Sequence, residues 1–195
     1  MNKTIHYYNE NHQELLRRYD SANMEQLNTI LNQFISKDTF VLDLGFGSGR
    51  DLKYIKNITK NIYGIDGSIE FVNNLKQKEF YKNKVSLSIL PKIDTAQFDI
   101  NTFDIIISIA VFMHFKKYEI IQIIKNIKDK LNYNGKVIIS YSTKSRDNDK
   151  RDFLEITKDE MTTLFNNENF KEIESIVNYD SLNRKIKWIT QVYEL

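Results

Sequence analysis

Cysteine is absent from all 195 residues, which excludes a disulfide framework, a thiolate metal centre and a cysteine nucleophile. Proline occurs once, at Pro91, just after a strand-like run, where a chain can leave a sheet without losing a ladder bond. Neither sign of charge dominates: 28 basic against 26 acidic side chains leave a net charge of +2, too small to argue for a nucleic-acid or membrane surface. Long apolar runs are missing too. Nothing approaches the ~20 residues of a membrane span, and the opening MNKTIHYYNENHQELLRRYDS holds no apolar core of a signal peptide. No internal repeat or low-complexity linker interrupts the chain. A soluble cytoplasmic protein with one buried core is expected, and no metal site is read from the sequence.

What is present is an alternation. Short β-branched runs at 40–44, 62–65, 85–89, 104–109 and 136–140 alternate with stretches of helical period at 50–57, 69–79 and 118–131. Four of the five runs are nearly all apolar, as strands buried on both faces should be. Asn132 to Gly135 is read as the turn closing the third helical stretch. STKSRDNDKRD then reads as a polar, solvated loop, and Thr157 with Glu160 as a capping box that starts another helix. Two last strand-like segments, 171–178 and 185–193, are joined by a connection short enough for a hairpin. Upstream, Leu15, Tyr19, Met24, Leu27, Ile30, Leu31 and Phe34 suggest two helices that pack on the sheet or cover its ligand crevice.

The most informative stretch is VLDLGFGSGR, residues 41–50. Glycines at alternate positions let the backbone turn tightly and let a ligand approach where a β-carbon would collide. A dinucleotide turn would carry its third glycine one place later and needs no acid inside the strand. Here Asp43 stands two positions before Gly45, a combination that suits a ligand carrying positive charge. About 20 residues beyond the turn, YGIDGS places Asp66 at the end of the second strand, where a carboxylate can accept both ribose hydroxyl hydrogens of a nucleoside. The alternative for Asp66 is helix capping, since Asp66 and Ser68 both precede a helical stretch.

D-x-G-x-G-x-G resembles the first motif of the class I S-adenosylmethionine-dependent methyltransferases, and the resemblance extends over about residues 40–195. It implies an α/β Rossmann-like, doubly wound, seven-stranded, mostly parallel sheet ending in an antiparallel hairpin. Helices would lie on both faces, with an N-terminal helical lid. One domain over 1–195 is expected, 1–37 forming the cap and 38–195 the core. The implied cofactor is S-adenosyl-L-methionine, held by Asp43, Gly45, Phe46, Gly47, Gly49, Asp66 and Gly67. An aspartate that often reads the adenine in this family is missing after the third strand. The backbone of Ile89 and Leu90 is read in its place, ahead of Asp94. Ser108, Ile109 and Ala110 would pass near the methionine portion, with Val111, Phe112 and His114 near the acceptor and His114 as the candidate base.

The opening segment also looks like that of small-molecule members of the family. Tyr7, Tyr8, Arg18 and Tyr19 are read as lid or substrate residues, and Arg146 or Arg151 as a loop cation for an anionic substrate. Trp188 is read as sheet packing. The fourth strand ends in SIAV rather than in a polar residue followed by Pro-Pro-aromatic, which disfavours DNA amino methylation, and cytosine C5 methylation lacks its cysteine. RNA remains open, although no basic and aromatic platform is concentrated anywhere. The expected partner is a small-molecule methyl acceptor, met by a monomer or homodimer away from membranes.

Overall fold

The computed structural model describes residues 3–143, 149–179 and 186–195. Seven strands form one sheet in the order β3-β2-β1-β4-β5-β7-β6. They are β1 (Val41–Leu44), β2 (Ile62–Asp66), β3 (Val85–Leu87), β4 (Phe103–Ile109), β5 (Leu131–Ser142), β6 (Lys171–Tyr179) and β7 (Lys187–Glu194). The first five pair in parallel, and β7 runs antiparallel between β5 and β6. The helices are α1 (Lys3–Asp20), α2 (Glu25–Phe34), α3 (Arg50–Ile55), α4 (Ile69–Lys76), α5 (Lys117–Lys128) and α6 (Lys158–Asn166). No described helix is long and apolar enough to cross a membrane.

Each sheet face is buried because its helices carry one apolar stripe. Ile120, Ile123, Ile124 and Ile127 of α5 join Met161 and Phe165 of α6 over one face. Leu15 of α1, Leu27, Ile30 and Leu31 of α2, and Phe71 and Leu75 of α4 cover the other. Phe165 stacks on Tyr193 with ring centroids 4.0 Å apart and planes 3° from parallel, and it meets Phe112 and Phe170 as well. Truncating so buried a ring removes packing that nothing nearby replaces. Phe165→Ala is expected to cost 3–5 kcal/mol, roughly, in urea unfolding without moving the slope.

Three expectations are revised. Asn132 to Gly135 is not a separate turn but lies within β5, where pairing jumps from Leu131 opposite Phe103 to Lys136 opposite Ile105. Asn134 adopts a left-handed φ of 58° there, and the four residues bulge out of the ladder. Strand β3 stops at Leu87 because the Ser88 hydroxyl donates to the Lys92 carbonyl and accepts the Asp94 N–H, which folds the chain away. Helix α4 ends at Lys76, short of Glu79, where a separate 3-10 turn runs from Glu79 to Tyr81. The capping box is where the spacing placed it: Thr157 Oγ1 accepts the Glu160 N–H, and the Glu160 carboxylate accepts the Thr157 N–H.

Candidate functional site

Strands β1 and β4 are neighbours, so the chain leaves the sheet in opposite directions from the tips of β1 and β4, opening a crevice there. The turn from β1 into α3 lines it. Gly45, Gly47 and Gly49 have φ of 77°, 53° and 71°, a left-handed run that L side chains resist. A β-carbon on Gly45 would stand 2.6 Å from Val111 Cγ2, so turn and β4 exit are in contact through the absence of a side chain.

Along the cleft lie Gly45, Phe46, Gly47, Asp66, Gly67, Leu90 and Ile109 from the predicted set, together with Arg50, Asp51, Ser88 and Phe71, which the sequence did not single out. Helix α1 roofs it with Thr4, Ile5, Tyr8 and Tyr19. Ile5 sits so close above Gly67 that a β-carbon there would be 3.0 Å from Ile5 Cδ1. The helix is fastened along its length. Thr4 Oγ1 accepts the Asp152 N–H, Asn9 accepts the Ser68 hydroxyl proton, and Asp20 accepts from Ser48 Oγ and Lys53 Nζ beside the glycine turn.

Four of the residues expected to hold the cofactor do not face the cleft, and Phe112, expected near the acceptor, is fully buried against Phe165 and lines neither cavity. Asp43 lies behind the turn, 1% exposed. Gly49 precedes α3 and abuts Leu75. Ser108 is buried and donates to the Leu44 carbonyl. Ile89 is half exposed beside Gly67 and does not line the cleft. Arg146 lies outside the described residues.

The electrostatics favour a cation. The Asp66 carboxylate accepts the N–H of Gly47 on Oδ2 at 2.8 Å and of Ser68 on Oδ1 at 2.7 Å, which leaves lone pairs on both oxygens for hydroxyl donors. Ser68, not Asp66, caps α4, its hydroxyl accepting the Phe71 N–H. Burial pushes the Asp66 carboxyl up to about 6 against those bonds. Asp43 is held well above the ordinary range by burial first, then by the charges of Asp51 and Asp66, with Arg50 opposing. Its Oδ2 is buried with no hydrogen-bond partner. Arg50 itself is bound by both oxygens of Asp51. Three carboxyl groups around one already paired guanidinium leave the site short of positive charge. A ligand with ammonium and sulfonium groups and a pair of ribose hydroxyls fits that set of acceptors.

A second chamber of about 420 Å³ adjoins the cleft and shares Tyr8, Tyr19, Arg50, Ile109 and Ala110 with it. Arg18, Met113, Ser140, Arg151, Tyr179, Trp188 and Thr190 complete much of its wall. Trp188 packs against the core, as expected, and also faces the chamber, because β7 inserts between β5 and β6 and carries its first residues to the crevice end. Arg151 is corrected: it is not solvated but 7% exposed, paired with both oxygens of Asp149 and set over the rings of Tyr7, Tyr8 and Phe153. Tyr7 contributes that ring contact and does not line either cavity. His114 lies at the cleft end of β4's exit, bonded through Nε2 to the Tyr8 hydroxyl at 2.9 Å and through Nδ1 to the Asp152 carbonyl at 2.7 Å.

Comparison with known proteins agrees with this geometry. The family described as "Methyltransferase domain" matches residues 42–139, from β1 through most of β5. "Probable S-adenosyl-L-methionine-dependent methyltransferase TehB" of Haemophilus influenzae is 35% identical over 104 residues, covering 49% of this chain and 33% of that one, so the chain spans about a third of that relative's length. An S-adenosylmethionine-dependent methyltransferase from Clostridium acetobutylicum superposes with a TM-score of 0.69 at 11% identity over 97% of this chain and 96% of its own. The PH0226 protein of Pyrococcus horikoshii OT3 does so at 0.68 with 19% identity over 88% of each. With the family's match running through the glycine turn, Asp66 and the β4 exit that build the cleft, the chain belongs to the class I S-adenosylmethionine-dependent methyltransferases, and its cofactor is S-adenosyl-L-methionine.

Proposed function

We propose that this chain transfers a methyl group to an oxygen or nitrogen atom of a small molecule, in the cytoplasm, with residues 1–37 serving as the cap of a single catalytic domain. The observation that carries the acceptor class is the chamber beside the cleft. Its volume of about 420 Å³ lies in the range of small-ligand sites, and residues of α1 and α2 close over it. Among the described residues no basic stripe leads into it; its arginines Arg18, Arg50 and Arg151 are each paired with a carboxylate.

In this reading Asp66 holds the ribose hydroxyls, the Gly45 to Gly49 turn admits the methionine portion, and Asp43 and Asp51 supply negative charge towards its cationic groups. Ile5, Ser88 and Leu90 border the base. Bound there, the cofactor supplies an electrophilic methyl group on a sulfonium. The chain's contribution is then alignment at near-attack distance in a site that α1 shields from water. Ile109 and Ala110, common to both cavities, mark where the two ligands would meet. His114 assists removal of the acceptor's proton.

The test is a transfer screen with methyl-labelled S-adenosylmethionine over a metabolite extract and, in parallel, total RNA. Label is expected in the low-molecular-weight fraction. Label in RNA, with binding that weakens steeply as salt rises, would replace this reading by RNA methylation; cofactor binding without any transfer would replace it by a non-catalytic role.

A further inference from the structure

On the sheet face that α1 and α2 cover, the residues of β4, β5 and β7 stand in level rows. Ile107, Ile138 and Val192 make one row, fully buried and apolar throughout. The next row towards the crevice is Ile109, Ser140 and Thr190, where two hydroxyls take the places of aliphatic side chains. Ser140 is 7% exposed and Thr190 2%, yet both border the chamber. The Thr190 hydroxyl donates to Ser140 Oγ at 3.1 Å, and among the described residues neither hydroxyl makes another hydrogen bond. Two hydroxyls carry two protons, and their mutual bond uses one. The other is a buried donor without an acceptor, which is costly unless a ligand supplies one.

The backbone fixes where that donor stands. Ser140 is the register partner of Ile109, and its carbonyl accepts the Ala110 N–H at 2.7 Å. It therefore lies one strand spacing, about 4.8 Å, from the Ile109 to Ala110 exit at which cleft and chamber meet.

We propose that the Ser140 and Thr190 hydroxyls anchor the methyl acceptor. Ser140 Oγ donates its spare proton to a lone pair on a carbonyl oxygen or ring nitrogen of the acceptor, which holds the attacking atom against Ile109 and Ala110. The rest of the wall describes the remainder of that molecule. Met24, Leu27 and Met113 suit an apolar body, Tyr19 and Trp188 suit a ring, and the arginines already have carboxylate partners. The acceptor class is thus an apolar, ring-bearing molecule with such a lone pair a few bonds from the atom that is methylated. This rests on the small-molecule methyltransferase reading above. Ser140 and Thr190 are positioning residues, Thr190 acting through Ser140 by fixing which way its hydroxyl turns.

Trp188 is the chain's only tryptophan and stands in the chamber wall, so its fluorescence reports what enters. The probes are acetophenone and α-methylstyrene, in which a CH2 group replaces the carbonyl oxygen, each titrated into protein saturated with S-adenosylhomocysteine. Acetophenone should change the emission saturably and bind roughly fivefold more tightly, the worth of one neutral hydrogen bond. Ser140→Ala should remove that preference by weakening acetophenone alone. A preference that survives Ser140→Ala, or no saturable binding of acetophenone, overturns the anchor.

The second measurement follows label from S-adenosylmethionine into a dilute metabolite extract, where the rate reports capture of the acceptor. Ser140→Ala should slow transfer roughly tenfold, with affinity for S-adenosylhomocysteine unchanged. Thr190→Val should slow it less, and Thr190→Ser should restore most of what Thr190→Val loses. A packing role predicts the reverse order, because valine keeps the shape of threonine and serine does not. Transfer indifferent to Ser140→Ala overturns the anchor and leaves the small-molecule reading standing. No transfer by the unmutated protein, with the oxygen preference present and lost in Ser140→Ala, supports the anchor as a binding site and fails the methyl-transfer reading alone.

Discussion

Asp66→Ala is expected to weaken binding of S-adenosylmethionine or S-adenosylhomocysteine at least tenfold in calorimetry, about 1.4 kcal/mol. The residue does two things at once. It offers the ribose two anionic oxygens, and it draws Gly47 and Ser68 into place through their N–H groups. Its acidity gives a further signature. In the ligand-free fold burial lifts its pKa from 3.8 to about 6, so affinity for the nucleoside should fall as pH drops through 6, where the carboxylate takes up a proton. Folding stability has the opposite dependence. Between about 4 and 6 the folded state binds the proton that the unfolded chain has released. The carboxyl therefore favours the fold below that window, and this advantage is lost as pH rises through it, by roughly 3 kcal/mol at most. Thermal unfolding between pH 4 and 7 should decline less with rising pH in Asp66→Ala than in the original protein. Parallel curves would show that the carboxyl is not held in so dry a setting, and unchanged affinity would remove Asp66 from the cofactor site.

Asp43→Asn should separate binding from folding. The substitution keeps the shape of a side chain that is 1% exposed and removes an ionisable group whose Oδ2 has no hydrogen-bond partner. The ligand-free protein is expected to melt no lower, because burial already disfavours the ionised form that the substitution forbids. Cofactor affinity should nevertheless fall at least tenfold, since the variant cannot ionise to offset the cationic ligand. A second readout distinguishes this from local distortion. With its pKa raised by burial and by Asp51 and Asp66, Asp43 must give up a proton to balance an incoming cation, so affinity rises with pH. Asp43→Asn should flatten that rise above pH 6, where Asp66 is already ionised. A full slope retained in the variant would assign the pH dependence to another group.

The features that were legible in the sequence are those fixed by neighbours in the chain. The glycine turn, the acid before it and Asp66 at the next strand tip are set by spacing, and the continuous apolar runs mark strands covered on both sides. The Thr157 to Glu160 cap is equally local. What escaped notice is made by distant segments meeting. Thr4 and Ile5 come to the cleft only because α1 folds back over β2, and no local pattern marks them. Trp188 faces a cavity because β7 slots between β5 and β6. Arg151 sits in a run of mixed charge that reads as solvent-facing, yet the rings of Tyr7, Tyr8 and Phe153 enclose it. Arg50 and Asp51 were within reach. Both directly follow the turn, and the first residues of a helix that starts at a ligand crevice have side chains beside that ligand.

Helix α1 leaves a kinetic mark. It is pinned near its start by Thr4, at its middle by Asn9 and at its end by Asp20, with Ile5 resting over Gly67. Each fresh nucleoside and each spent one has to pass a door with three bolts, so dwell time in the pocket tracks how often they slide together, and loosening any one should quicken exchange.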